Sequence, residues 1–333
     1  MTVGTRRSIE RVLRFPWWRK ALVSMPGWKI LLTLLPVVGG LLLAAWIAVV
    51  LMLWWQQDRL IFAGWGFRLV TASGVAPGDE RLEWVTGDGV RLSGAYRPAR
   101  RTSRGLLLIL GGNAEDTDWR LRDIGAFVDD FDLATFFYRG YGPSGGRPEQ
   151  AAIVADAVMI HDRLVERLQP ARVIVVGFSL GSGVAAQLAR HRPLDGAILV
   201  TPFDSIEALA AQRYPWAPVR WLLRHPFRSA EALAALDLPV AVIGARHDHV
   251  VPAARTQALI AALRRPVFVA WVEDTDHVSL YDRPDYRAAF RAALRRLLEE
   301  RAAQAASIEP ASTRAGRLAN ARSISAQETG RPM

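Results

Sequence analysis

Arg172-Val173-Ile174-Val175-Val176-Gly177-Phe178-Ser179-Leu180-Gly181-Ser182-Gly183-Val184-Ala185-Ala186-Gln187-Leu188-Ala189-Arg190 is the stretch that decides the fold. An apolar run of strand character leads into Gly-x-Ser-x-Gly, and a helix-forming pattern follows at once. This strand, tight turn and helix place Ser179 on a sharp elbow with its hydroxyl raised above a sheet edge, which makes it the candidate nucleophile. Side chains at Gly177 and Gly181 would collide with the neighbouring strand and helix, so small residues are needed there. The start of the following helix supplies backbone N–H groups and a positive dipole end, both suited to a developing oxyanion. In a chain with 26 glycines a bare match could be a glycine-rich turn; the flanking periodicities argue against that reading.

A serine hydroxyl needs a base to take its proton and an acid to orient that base, in the downstream order Ser, Asp, His. Leu238-Pro239-Val240-Ala241-Val242-Ile243-Gly244 reads as a buried strand, and the loop beyond it carries Asp248. Pro266-Val267-Phe268-Val269-Ala270-Trp271 reads as the next strand, with His277 in the loop behind it. Both candidates therefore follow the C-terminal ends of successive strands, where an open parallel sheet assembles its ligand crevice. Asp274 and Asp276 compete with Asp248 but sit almost beside His277 and lack its placement after a strand. His247-Asp248-His249 also offers metal-ligand residue types, yet adjacent residues rarely converge on one ion and no partnering His- or Glu-rich segment exists. His161, His191 and His225 read as structural residues on helix surfaces or ends.

These residues resemble the membrane-anchored α/β-hydrolases of the serine-hydrolase superfamily, in the branch labelled serine aminopeptidase-like. The resemblance spans about residues 57 to 298. Leu107-Leu108-Ile109-Leu110 leads into Gly111-Gly112-Asn113-Ala114, where the family usually has His-Gly-Asn-Ala; Gly111 thus replaces the histidine. Tyr138-Arg139-Gly140-Tyr141-Gly142-Pro143-Ser144-Gly145-Gly146 corresponds to a family segment, as do the elbow, the acid loop from Gly244 to Pro252, and His277. The resemblance implies an α/β-hydrolase fold: a mostly parallel central sheet flanked by helices, with a short helical cap and one N-terminal transmembrane helix. It implies Ser179, Asp248 and His277 as the catalytic triad, and the backbone N–H groups of Asn113 and Leu180 as the oxyanion hole. Gly111, Gly112, Arg139, Gly177 and Gly181 are expected to organise the surrounding loops, although a merely solvated Arg139 is an equal reading.

Composition bounds the rest. A chain of 333 residues holds one large α/β domain with appendages, and the lack of cysteine excludes disulfides, thiol nucleophiles and cysteine metal sites. Ile30 to Trp55 carries no charge, and since about 20 helical residues cross the hydrocarbon, it reads as a transmembrane helix. A cleavable signal peptide is the competing reading, but the apolar segment is too long for one and Trp54-Trp55 resembles an interfacial anchor. Before it stand Arg6, Arg7, Arg11, Arg14, Arg19, Lys20 and Lys29 against Glu10, so the positive-inside rule predicts a cytoplasmic N-terminus and an extracytoplasmic, periplasmic catalytic domain at a bacterial-type inner membrane. Phe15-Pro16-Trp17-Trp18-Arg19-Lys20 also suits an anionic leaflet. The terminal segments hold most of the formal charge of +10, so the basic balance gives no evidence for nucleic-acid binding.

The predicted order is a basic segment (1–29), the span (30–55), a connector (56–79), the hydrolase domain (80–302) and a disordered tail (303–333). Within the domain an antiparallel hairpin precedes six strands that alternate with helical patterns. A short cap is expected at 204–236, where Trp216 and Trp221, with Phe178 and Phe203, could line a substrate pocket or be ordinary core residues. The predicted reaction is hydrolysis of an ester of a small-molecule or lipid-like acyl substrate through a covalent acyl-enzyme, with no metal or organic cofactor. A peptidase or thioesterase of the same fold is the first alternative, and a non-catalytic membrane interaction protein the second.

Overall fold

The computed structural model describes residues 27–308. Most of the predicted basic segment and the tail from residue 309 lie outside the described residues. The chain divides after Gln56 into two compact units. The first unit holds most of helix α1 (Gly27–Ile61), whose stretch Leu34–Ile61 is long and apolar enough to cross a membrane.

In the second unit eight strands form one sheet in the order β1-β2-β4-β3-β5-β6-β7-β8. Strands β1 (Glu80–Val85) and β2 (Arg91–Arg97) make the expected antiparallel hairpin, and β2 joins β4 (Asp132–Phe136) antiparallel as well. The others run parallel: β3 (Leu106–Leu110), β5 (Val173–Phe178), β6 (Gly196–Val200), β7 (Val240–Ala245) and β8 (Pro266–Val272). Helices cover both faces, so the central strands are continuous apolar runs rather than alternating ones. Strand β3 shows the division: Leu106, Leu108 and Leu110 belong to the core beneath α4 (Gln150–Leu168) and α5 (Leu180–His191). Its alternate residues Leu107 and Ile109 belong to the core beneath α3 (Thr117–Gly125) and α10 (Pro284–Ile308). Helix α10 continues past residue 302, so the predicted tail boundary falls six residues too early, inside a helix that ends at Ile308.

The predicted connector is part of the fold rather than a tether. The end of α1 and the short helix α2 (Ala63–Gly66) belong to the second unit, where Phe62 is fully buried and Val70 joins the same core. The Phe62 ring lies 5.1 Å from the His225 ring and 6.3 Å from that of Phe227. Asp58, also buried, gathers Arg147 at 2.7 Å, Arg224 at 3.0 Å and His225 at 3.2 Å. The sequence reading missed this because the stretch has no regular period, and nothing local separates Phe62 from its neighbours Trp65 and Phe67.

Between β6 and β7 lie α6 (Ile206–Arg213), α7 (Val219–Leu222) and α8 (Ser229–Ala234). Helix α8 is half core, with Ala232 and Leu233 buried, whereas α6 and α7 bury no residue and form the exposed cap. Helix α9 (Ala253–Ala262) then connects β7 to β8. Arg139 is buried and pairs through two nitrogens with Asp156 of α4, at 2.7 and 2.6 Å, while reaching Asp88 of the hairpin turn at 2.9 Å. It thereby ties the glycine-rich loop after β4 to two other elements at the sheet edge.

Truncating a fully buried phenylalanine costs about 3–5 kcal/mol. Phe62→Ala should therefore lower the thermal midpoint of detergent-solubilised protein strongly, whereas a change in a true connector would leave it unmoved. Burial holds the His225 pKa below its ordinary 6.5 despite the carboxylate of Asp58, and Gln150 donates its N–H to Nδ1 at 3.3 Å, which requires the neutral ring. Because the unfolded chain then binds more protons than the folded one, stability should be full above about pH 6.5 and fall as the pH drops below it, by at most about 1.4 kcal/mol per pH unit. Thermal melts from pH 7.5 to 5 should show this slope, and His225→Gln should flatten it.

Candidate active site

Ser179 stands between β5 and α5 with φ 48° and ψ −113°, a left-handed conformation that non-glycine residues rarely hold. The strain is enforced from both sides by close backbone approaches. A Cβ on Gly177 would fall 2.6 Å from the Gly181 carbonyl oxygen, and one on Gly181 would fall 2.1 Å from the Leu110 carbonyl oxygen. The helix can therefore start directly against strand β3, leaving the Ser179 side chain at the crevice.

His277 Nε2 lies 2.9 Å from Ser179 Oγ, and His277 Nδ1 lies 2.6 Å from Asp248 Oδ2. The other oxygen of Asp248 accepts the Val250 and Val251 N–H groups at 2.8 and 2.7 Å, so the carboxylate is fixed at both ends. Asp248 is buried and His277 half-buried. Asp276 is committed elsewhere: its Oδ1 accepts from the N–H groups of Val278 and Ser279 and from the Ser279 hydroxyl, which lowers its pKa to about 2. It shapes the turn that carries His277. The acid and base loops are joined by the His247 N–H, which donates to the Thr275 carbonyl at 2.9 Å. His161 and His225 are buried away from the site, and His249 lines the cleft beside Val250.

The loop after β3 is held by contacts that the sequence reading did not anticipate. The Tyr138 hydroxyl donates to the Gly111 carbonyl at 2.8 Å, and Glu115 accepts the Gly112 N–H at 2.6 Å. The Asn113 side chain donates to the Ile61 carbonyl at 2.8 Å and accepts from the Tyr141 hydroxyl at 2.6 Å. Glu115 is itself clamped by Arg120, whose guanidinium sits 4.1 Å from the ring centres of both Phe178 and Tyr281 and pairs also with Asp123. Burial works against the Arg120 charge, but the Glu115 carboxylate prevails and holds its pKa above the ordinary arginine value. One signal was present: Arg120 falls with Thr117, Leu121 and Ile124 on the buried stripe of α3, where a charge needs a partner. Glu115 thus occupies the Gly112 N–H, while Asn113 and Leu180 border the cleft, and Leu180 lies in the first turn of α5, where an N–H has no carbonyl of its own helix to bond.

Ser179 and His277 open on a cleft of about 1200 Å³. One wall is apolar, from Leu60, Ile61, Phe203, Ile206, Leu209 and Tyr214; Trp119, Val250, Val278 and Tyr281 stand elsewhere around it. The predicted pocket aromatics need correction. Phe203 lines the cleft, but Phe178 is fully buried because its side chain points into the core on the other sheet face, under Arg120. Trp216 and Trp221 do not line the cleft either; they project outward from the cap.

Residues 105–231 match the family described as alpha/beta hydrolase fold. The chain is 37% identical over 241 residues to an uncharacterized protein of Mycobacterium tuberculosis strain H37Rv, covering 70% of this chain and 84% of that one. With the lysophosphatidylserine lipase ABHD12 of Danio rerio it shares 30% identity over 179 residues, 47% of each chain. Among solved structures an esterase of Pyrococcus furiosus superposes with a TM-score of 0.56 at 18% identity, over 69% of this chain and 96% of that one. The chain therefore belongs to the α/β-hydrolase fold family. Fold and homology point to a hydrolase-type enzyme.

The elbow contact is testable without any substrate. Gly181→Ala sets a methyl group against main-chain atoms that cannot rotate away, and overpacking of this kind costs about 1–3 kcal/mol or more. Gly145→Ala, whose added Cβ would meet nothing closer than 3.7 Å, should melt within a degree or two of the parent.

Proposed function

We propose that the protein is a serine hydrolase that cleaves the acyl ester of a lipid-like amphiphile through a covalent acyl-enzyme. The observation that carries this reading is the unbroken relay from Ser179 Oγ to His277 at 2.9 Å and from His277 to Asp248 at 2.6 Å, set in the wall of a largely apolar cleft. The Ser179 hydroxyl donates to His277 Nε2 and attacks the ester carbonyl as that proton transfers. Asp248 accepts from Nδ1–H, which fixes the tautomer and stabilises the imidazolium. The oxyanion meets the Asn113 and Leu180 N–H groups, and the imidazolium then protonates the departing alcohol. Water, deprotonated by the same imidazole, attacks the acyl-serine; the carboxylic acid leaves and the Ser179 hydroxyl is restored.

The cleft supports an ester of amphiphilic shape. Its volume of about 1200 Å³ lies just above the range of about 300–1000 Å³ common for small-molecule sites, and the cap lines it with aliphatic Ile206, Leu209 and Ala210 together with the cation Arg213. The similarity to a protein named for lysophosphatidylserine lipase activity favours a single-chain lipid ester over a peptide bond. The length and apolar character of α1 support placement at a membrane, and the excess of basic residues before it favours an N-terminus in the cytoplasm and the hydrolase unit on the far, periplasmic side of a bacterial inner membrane.

Full-length protein in detergent should react with a fluorophosphonate probe, and Ser179→Ala should lose the label. The same variant should lower kcat on p-nitrophenyl esters by at least about 10⁴-fold while melting like the parent. Catalytic efficiency should rise with acyl length from acetate towards medium chains. Absence of labelling in verified folded protein, or labelling that survives Ser179→Ala, would remove the proposal in favour of a non-catalytic interaction protein.

A further inference from the structure

The two cap tryptophans that do not line the cleft need a role. Trp221 is 82% exposed and Trp216 46% exposed, far more than an aromatic ring in water gains anything by being. They flank Arg220, and from Ala208 to Ala230 there is no acidic residue, while Arg213, Arg220, Arg224 and Arg228 all fall in that stretch. Arg228 is neutralised by Glu207 and Arg224 by Asp58. Arg213 and Arg220 are not joined to any carboxylate among the described residues. Exposed indole rings interleaved with arginine are the composition that partitions into an anionic headgroup layer.

Connectivity says which surface is near enough. The Gln57 side chain donates to the Leu222 carbonyl at 3.2 Å and accepts the Arg224 N–H at 2.8 Å, and Asp58 holds both Arg224 and His225. The end of α7 is thus bonded to residues that follow Trp54-Trp55, the predicted interfacial pair, by only two positions. The exposed surface also runs into the cleft. The Trp216 ring meets the Tyr214 ring edge-on, with centres 6.2 Å apart, and Tyr214 and Arg213 both border the cleft.

We propose that the face of the cap bearing Trp216, Arg220 and Trp221 docks on the anionic lipid surface of the membrane that the chain itself spans. Docking sets the cleft mouth at Arg213 and Tyr214 against the headgroup layer, so that an amphiphile moves from bilayer to cleft without crossing bulk water. The docking does not depend on the chemistry at Ser179, and only its consequence for substrate delivery rests on the proposed esterase reading.

The chain has no cysteine, so one introduced thiol reports a single position. Full-length Ala217→Cys, labelled with an NBD fluorophore and reconstituted in nanodiscs containing phosphatidylglycerol, should be quenched by lipids spin-labelled at the headgroup. It should be quenched several-fold more than the same label at Thr102→Cys, on the loop before β3 at the other end of the sheet. Adding Trp221→Ala to the Ala217→Cys protein should abolish most of the difference, although the tether is unchanged. Equal quenching at the two positions, or no effect of Trp221→Ala, would overturn the docking. Quenching that is as strong in phosphatidylcholine discs would overturn the role given to the arginines. In parallel, Trp221→Ala should lower turnover of a fluorogenic ester embedded in anionic discs about five- to tenfold and leave turnover of soluble p-nitrophenyl acetate unchanged. Equal turnover of the embedded ester would overturn the delivery route, and loss of both activities would point to a structural role for Trp221 instead.

Discussion

Everything at the site depends on one steric constraint: the start of helix α5 is wedged so tightly that a Cβ on Gly177 would strike the first turn of the helix itself and one on Gly181 would strike the end of strand β3. Because the helix cannot back away, the chain must reverse within a single residue, and Ser179 takes the positive φ that the reversal demands. The parallel register then decides what surrounds it. Strands β5, β6, β7 and β8 are consecutive in the sheet, so the loops carrying Ser179, Asp248 and His277 emerge at one edge from strands no more than three places apart. Hydrogen-bond distances of 2.6 and 2.9 Å among three residues so far apart in sequence come from that register rather than from local structure.

Around this constraint the molecule uses buried charge as scaffolding. Arg120 and Arg139 are both buried, and each is met by more than one carboxylate. Arg120 joins the elbow residue Phe178 to the loop after β3 through Glu115, while Arg139 fixes the glycine-rich loop one strand further out. A buried ion pair of this sort contributes less to net stability than to geometry, since desolvation offsets most of the attraction but a misplaced partner costs several kcal/mol. The loop after β3, which carries Gly111, is held in turn by Tyr138, Glu115 and the Asn113 side chain.

The fold was legible in the sequence because its signals are local and repeated: an alternating hairpin, six apolar runs bounded by turn residues, and an elbow whose glycines have a steric reason. Ser179, Asp248 and His277 were legible because each follows a strand, and strand order carries loop position with it. The pocket was not. Phe178 and Phe203 are both aromatic and both near the elbow, yet alternation along β5 sends Phe178 to the far face, and only the sheet's layering distinguishes them. Trp216 and Trp221 looked like lining because apolar residues in a cap usually face inward, whereas here the inward positions go to Ile206 and Leu209. The role of residues 57–70 was hidden for another reason: Phe62 and Asp58 act through contacts with residues 147–227, and no local pattern announces a partner so far along the chain.

That last segment bears on how the anchor and the hydrolase unit can be separated. The Ile61 carbonyl and the Gly64 backbone both meet Asn113, and Leu60 and Ile61 form part of the cleft wall. A soluble form cut at the first strand, Glu80, would lose Leu60 and Ile61 from the cleft wall together with the brace of its loop. The natural cleavage point for crystallisation or for assays in water is therefore Gln56–Gln57, inside an unbroken helix, where secondary structure alone would place no border.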